Sequence, residues 1–333
     1  MTKPSISTVS KVCIYGAGAI GGWIGARLAA VGCEVSVVAR GNTLQALRQN
    51  GLRLQTGDAT TSAAVQASED PAALGVQDLV VVAVKAPALL EVARRIGPLI
   101  GPNTIVLTAM NGVPWWFLQD FGGAFAGRPL QAVDATGEIA RAIPAANVIG
   151  CVVHASCALN GPGFVRHHFG NKLILGEPSG VVTTRVQTLS ALLERAGFDA
   201  PVSQQIQEDT WFKLWGNMTV NPISAFTGAT TDLIMDDDLV RGFISSVMLE
   251  AKEIGARLGI RIDQQPEDRH AVTRKLGAFK TSMLQDVEAG KPVELDALVT
   301  VVRELGAMTG VATPFTDALL GLGRLHARVH GLY

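Results

Sequence analysis

The stretch Lys11-Val12-Cys13-Ile14-Tyr15-Gly16-Ala17-Gly18-Ala19-Ile20-Gly21 decides the fold. Lys11 to Tyr15 is a short, mostly apolar run of the kind that forms a buried strand. A glycine-rich turn follows at once and leads into a helix that runs through Ala30. Gly-x-Gly-x-x-Gly alone is a weak signal, but between a strand and a helix it is a strong one. The first glycine allows a tight turn, the second lets backbone approach a pyrophosphate, and the third lets helix pack on strand. The new helix then offers free N–H groups and a partial positive charge to an anion. Gly16, Ala17, Gly18, Ala19, Ile20 and Gly21 are therefore the candidate pyrophosphate cradle. The competing reading is a glycine turn used only for packing.

Reading outward, Glu34 to Ala39 is a second strand and ends in Arg40. Enzymes that take NAD usually place an acid there for the ribose hydroxyls. Arg40, Gly41 and Asn42 hold none, and a guanidinium suits a 2′-phosphate. The expected cofactor is therefore NADPH, with a solvated surface arginine as the alternative. Leu44 to Gln49 reads as helix, Asp78 to Val84 as a strand buried on both faces, Ala88 to Ile96 as helix, and Thr104 to Thr108 as strand. Strands alternating with helices predict an α/β Rossmann-type domain with a mostly parallel sheet. Ligands of such sheets bind beyond the carboxyl ends of the strands. Lys85 and Asn111 follow the third and fourth of these strands, so both are candidate cofactor-binding residues. A strand-ending charge and a turn Asn beside Gly112 are the plainer explanations.

Past Asn111 the pattern loosens. Asn147 to Ala158 and Gly163 to Gly176 read as strands joined by a turn at Asn160-Gly161-Pro162-Gly163. Val181 to Ala196 reads as a helix capped by Gly197. From Ser203 helical periodicity dominates. The expected division is 1–202 for the dinucleotide-binding domain and 203–333 for an all-α domain carrying the substrate chemistry.

Composition limits the function classes. The chain has 333 residues, enough for two domains, with 48% hydrophobic and 17% charged residues. A net charge of −1, with no run of Lys or Arg, gives no reason to expect nucleic acid. Cys13, Cys33, Cys151 and Cys157 form no C-x-x-C pair and no zinc spacing, so no metal is expected and the thiols fit a reducing, cytoplasmic setting. Met1 to Lys11 is polar and short, with no signal-peptide core. Ile96 to Gln119 is uncharged but carries Gly97, Pro98, Gly101, Pro102 and Pro114. It would make a poor spanning helix, so it reads as a buried strand flanked by loops, and no membrane role is expected.

In the helical half, Lys213, Asn217 and Asn221 are spaced four apart, which lines them along one helix face. Polar groups on an otherwise apolar helix are costly to bury without partners, so they more plausibly line a polar cavity. Pro222 disfavours helical geometry at Asn221, so an end or bend is expected there. Further on come Ser282-Met283-Leu284-Gln285-Asp286 and Glu294-Leu295-Asp296, separated by Gly290-Lys291-Pro292. Glu294 is expected to open a new helix, where an acid also complements the helix dipole. His154, His167 and His168 lack a carboxylate at useful spacing and read as structural or surface residues.

Taken together, these residues resemble the ketopantoate reductase (2-dehydropantoate 2-reductase) family over nearly the whole chain. The shared elements are the Gly16–Gly21 turn, Lys85, Asn111-Gly112, the Lys213/Asn217/Asn221-Pro222 segment, Ser282 to Asp286, and Glu294-Leu295-Asp296. The glycine turn is common to many dehydrogenases, whereas the last three are far more specific. The resemblance implies NADPH-dependent reduction of a small 2-keto acid, with a place in pantothenate biosynthesis. Lys213 resembles the family's general acid. Glu294 resembles its partner for the substrate hydroxyl. Asn217, Asn221 and Ser282 would bind the substrate, Ser282 at its carboxylate. The sequence departs from the family at Val299-Thr300, where an Asn-Gly pair is usual, which leaves another branched 2-keto acid open. The competing functions are a β-hydroxyacid-type dehydrogenase and a non-catalytic NADP-binding sensor. Apolar helical stretches such as Phe243 to Ile254 serve either a core or a dimer surface, and a homodimer is the favoured expectation.

Overall fold

The computed structural model describes residues 9–333, so most of the polar N-terminal stretch lies outside it. The chain divides into two compact units. One takes the residues up to Met110 together with Gly137–Ile206, and the other takes Asn111–Thr136 and Gln207–Tyr333.

The first unit runs β1 (Lys11–Tyr15), α1 (Ala19–Ala30), β2 (Glu34–Val38), α2 (Gly41–Asn50), β3 (Leu52–Thr56), β4 (Ala59–Ala63), β5 (Gln66–Ser68), β6 (Leu79–Val82), α3 (Leu89–Arg95), β7 (Ile105–Thr108), α4 (Glu138–Ala142), β8 (Val148–Gly161), β9 (Phe164–Gly176) and α5 (Thr184–Arg195). Its nine strands form one sheet in the order β4-β3-β9-β8-β7-β6-β1-β2-β5. Pairing is parallel except at β8–β9 and β3–β4. This is the α/β architecture the alternating pattern predicts. Every residue of β6 and β7 is buried, as continuous β-branched and leucine runs require when both sheet faces are covered. The uncharged stretch around β7 is a buried strand between loops, and no helix of the described residues is long and apolar enough to cross a membrane. The hairpin β3–β4 and the short β5 have no counterpart in the sequence reading. β4 is Ala-Thr-Thr-Ser-Ala, mostly exposed at the sheet edge, with no alternation to betray it.

The second unit is helical: α6 (Ile206–Thr227), α7 (Thr231–Asp236), α8 (Asp238–Leu258), α9 (Pro266–Arg274), α10 (Ser282–Glu288), a π-helical segment (Asp296–Thr300), α11 (Val301–Thr309) and α12 (Pro314–Val329). Two expectations need correction. The first is the assignment of 111–136 to the dinucleotide-binding domain. Val113, Phe117, Leu118 and Leu130 are buried in the core of the helical unit with Trp211 and Leu214. The Glu304 carboxylate also accepts the backbone N–H groups of Gln131 and Ala132 at 2.7 and 2.8 Å. An irregular apolar loop has no periodicity, so only its packing shows which core it fills. The second concerns Asn221, where an end or bend of the helix is expected, and the helix does not end there. α6 continues through Pro222 to Thr227. Asn221, Pro222, Ile223 and Ser224 are all buried there, and packing overrides the proline's local preference.

α6 is fixed in rotation by its tryptophans. Trp211 and Trp215 are wholly buried and donate their indole N–H to the carbonyls of Ala251 and Met248 in α8, at 3.2 and 2.7 Å. Gly255 makes room for the first of them, since a Cβ there would lie 2.5 Å from Trp211 Nε1. Truncating a buried Trp to Ala typically costs about 3–5 kcal/mol. With these anchors facing α8, helical geometry turns Lys213 and Asn217 to the opposite, half-buried side.

Candidate active site

In the first unit, the Gly16–Gly21 turn leaves β1, which lies between β6 and β2 in the sheet. The chain winds in opposite directions from this point, which is where open α/β sheets bind ligands. Gly16 and Gly21 are each required by a close approach of the backbone. Gly16 has φ +107°, and a Cβ would sit 2.8 Å from the Ala83 carbonyl oxygen. A Cβ on Gly21 would lie 2.1 Å from the Gly16 carbonyl oxygen and 3.0 Å from Ile14 Cγ2, so only glycine lets α1 approach β1. Gly18, the N-cap of α1, is different, because nothing of the protein lies within 4 Å of where its Cβ would be. No side chain caps α1 either. Open space over uncapped N–H groups at a helix start fits a pyrophosphate.

Arg40 follows β2 as the N-cap residue of α2. Its Nη1 donates to Glu91 Oε1 at 3.0 Å, with the two side chains 70% and 52% exposed. An exposed pair of this kind holds the guanidinium only weakly and leaves most of its donors to solvent or a ligand. Lys85 follows β6 as the N-cap of a short 3₁₀ turn. Arg40, the glycine turn and Lys85 therefore stand beyond the carboxyl ends of three neighbouring strands. Burial pushes the thiol of Cys13 up to about 12, which makes it an inert core residue, and all four cysteines are free. His167 stacks on Trp23 with ring centroids 5.2 Å apart, a packing role. Among the described residues no group of three or more His, Cys, Asp or Glu side chains is placed to hold a metal.

In the second unit, the Lys213 ammonium donates to Asn111 Oδ1 at 2.9 Å. The next residue, Gly112, has φ +83°, and a Cβ there would lie 2.4 Å from the Ala297 carbonyl oxygen. The Val113 N–H then donates to that same carbonyl at 2.8 Å. Asn111-Gly112 is thus more than a turn. It bridges Lys213 on α6 to the π-helical segment that begins two residues after Glu294. Glu294 is buried, and its carbonyl accepts the Leu298 N–H at 3.2 Å, so it opens this helix as expected. π-Helical turns recur at functional sites, and nothing in the sequence pattern announced this one.

Asn217 and Asn221 lie one and two turns beyond Lys213. Neither amide is held by a protein hydrogen bond among the described residues, although Asn221 is only 9% exposed. Ser282 is exposed at the start of α10, behind the Thr281 cap that accepts the Leu284 N–H. Met283, Val293, Leu295, Leu214 and Met218 share one core, so the residues beside them (Ser282, Glu294, Lys213 and Asn217) belong to one compact unit. Val299 is wholly buried in that core, and Thr300 Oγ1 donates to Asp296 Oδ1 at 2.8 Å. The departure from the family pattern is therefore spent on packing and on a local bond.

These features define a class: an oxidoreductase with a Rossmann-type nucleotide unit and a helical unit that carries a lysine amid asparagines. The comparisons make it specific. The model of the ketopantoate reductase PanE/ApbA family matches residues 12–180, and the model of its C-terminal part matches residues 205–327. The chain belongs to the ketopantoate reductase family. It is 44% identical to the 2-dehydropantoate 2-reductase of Mesorhizobium japonicum, over 97% of this chain and 99% of that one. A crystal structure from Ralstonia solanacearum MolK2, provisionally assigned as a ketopantoate reductase, superposes with a TM-score of 0.94. It is 58% identical, over 98% of this chain and all of that one. D-mandelate dehydrogenase bound to NADH and anilino(oxo)acetate shares the fold, with a TM-score of 0.81 at 21% identity, over 97% of this chain and 100% of that one.

Proposed function

We propose that the protein reduces 2-dehydropantoate to pantoate with NADPH, and that Lys213 is the proton donor. The observation that carries this reading is the Lys213–Asn111 bond at 2.9 Å, which fixes an ammonium on the same helix row as two uncommitted asparagine amides. When bound, the reduced nicotinamide supplies a hydride to the 2-keto carbon. The ketone oxygen gains negative charge as this happens. An ammonium at hydrogen-bond distance stabilises that charge and then delivers its proton. Asn111 holds Lys213 in one rotamer, so little reorganisation accompanies the transfer. Asn217 and Asn221 orient the substrate, Glu294 accepts from its hydroxyl, and Ser282 donates to its carboxylate. The Gly16–Gly21 turn grips the pyrophosphate, Lys85 lies beside it, and Arg40 exchanges Glu91 for the 2′-phosphate.

A homodimer completes the reading. α12 exposes Phe315, Leu322, Leu325 and Val329. Their spacing is that of a helix seam that buries itself against another helix.

The test is oxidation of NADPH by the purified protein with 2-dehydropantoate, followed at the nicotinamide absorbance, with NADH run alongside. Rapid turnover with NADPH and slow turnover with NADH is the expected result. Turnover only with a different 2-keto acid would move the substrate. No turnover across a panel of 2-keto acids would leave a nucleotide sensor.

A further inference from the structure

Arg269 on α9 is a cation without a counter-charge. Its Nε is buried and has no hydrogen-bond partner. No carboxylate of the described residues pairs with it, and desolvation alone lowers its pKa. The guanidinium lies over the Phe212 ring, 5.6 Å from its centroid. It also rests against α6 at Gly216, where a Cβ would come within 2.4 Å of Nε and 2.7 Å of Nη2.

Phe212 and Gly216 each precede by one residue the pair Lys213 and Asn217. At 3.6 residues per turn, the surface under the guanidinium borders the Lys213–Asn217 row. Two unfavourable choices meet here: a half-buried guanidinium whose Nε is sealed from water with no acid beside it, and a glycine inside a helix. Both are explained by one requirement, that a guanidinium be held close beside that row. A leucine or methionine would fill the same volume without either cost.

The proposed reaction supplies the missing partner. A 2-keto acid brings a carboxylate into a site whose assigned groups are uncharged amides and a hydroxyl (Asn217, Asn221, Ser282) or a carboxyl (Glu294), none of them a cation, with Lys213 committed to the ketone oxygen. We propose that Arg269 is a substrate-binding residue whose guanidinium donates to the carboxylate of the 2-keto acid and so sets the preference for acids over uncharged ketones. This rests on the proposed function. Gly216 is the positioning residue that admits the guanidinium.

The test compares wild type, Arg269→Met, Arg269→Lys and Gly216→Ala on 2-dehydropantoate and on its methyl ester, with NADPH affinity measured separately by fluorescence. A charge-assisted bond of this kind is worth about ten- to a hundredfold in KM. Arg269→Met is expected to raise KM for the acid by that factor, leaving kcat, NADPH affinity and ester turnover near wild type. Arg269→Lys restores only part, because it lacks the planar fork. Gly216→Ala keeps the arginine but displaces it, so it gives the same split and carries the test where Arg269→Met does not fold. Acid and ester falling together, or an unmoved KM for the acid, overturns the proposal. Should wild type reduce no 2-keto acid, the proposed function fails on its own. Calorimetry with oxamate then decides Arg269: binding to wild type and not to Arg269→Met upholds its anion site, and equal binding or none removes it.

Discussion

Replacing Gly112 with alanine tests whether the Asn111-Gly112 bridge builds the site. At φ +83° an alanine enters the left-handed region, which costs about 1–2 kcal/mol. Its Cβ would also lie 2.4 Å from the Ala297 carbonyl oxygen, well inside van der Waals contact. The loop must then retreat from the π-helical segment. That lengthens the Val113–Ala297 bond, worth about 0.5–1.5 kcal/mol, and strains the surrounding packing by about 1–3 kcal/mol. The total is about 2.5–6.5 kcal/mol. Gly122 is the control: its φ is +81°, but nothing lies within 4 Å of its Cβ position, so Gly122→Ala meets only the backbone cost. Urea unfolding followed by tryptophan fluorescence suits the comparison, because Trp115, Trp116, Trp211 and Trp215 belong to the helical unit and only Trp23 to the other. A loop displaced by the order of 1 Å also carries Asn111 off Lys213, so kcat is expected to fall about a hundredfold. Equal destabilisation of the two variants, with turnover unchanged in Gly112→Ala, would refute the bridge.

Three further outcomes follow from the geometry. Arg40→Ala is expected to weaken NADPH binding about ten- to a hundredfold and leave NADH nearly untouched, read by nicotinamide fluorescence titration; equal effects on both cofactors contradict the 2′-phosphate role. Burial pushes the Asp78 carboxyl up, but bonds from the Lys11 and Ser10 N–H groups and the Ser10 hydroxyl outweigh it, and the net shift is down. Its contribution to stability is therefore present above the ordinary carboxylate pKa of about 4 and is lost as pH falls through the lower folded value. Asp78→Asn should cost on the order of 1 kcal/mol at neutral pH, after allowance for partial exposure, and the gap should close as the pH falls below the ordinary carboxylate range in urea titrations; a gap independent of pH contradicts it. Leu322→Glu with Leu325→Glu is expected to turn a sedimenting dimer into a monomer, and a wild-type monomer would remove the α12 interface.

Much of the nucleotide unit was legible in the sequence because its signals are local. The β1-turn-α1 stretch, the buried β6 and β7, and the β8–β9 hairpin each carry their pattern within a few residues. Lys213, Asn217 and Asn221 were legible as one face because helical spacing is local too. What was not legible depends on contacts distant in sequence. The loop 111–136 joins the helical core through side chains with no period. α6 passes Pro222 because every residue around it is packed. Gly112 looked like a turn glycine, yet its reason is Ala297. Gly216 and Arg269 are 53 positions apart in the numbering, and neither means anything without the other. Val299-Thr300 read as a change near the substrate; what the sequence did not show is that Val299 packs in the core and Thr300 bonds to Asp296.

The most direct measurement is turnover of 2-dehydropantoate by Lys213→Ala beside its affinity for NADPH. With Lys213 as proton donor, NADPH should bind as in wild type while kcat falls by about 10²–10⁴. Turnover near wild type would remove Lys213 from the chemistry, and with it the mechanism built on its bond to Asn111.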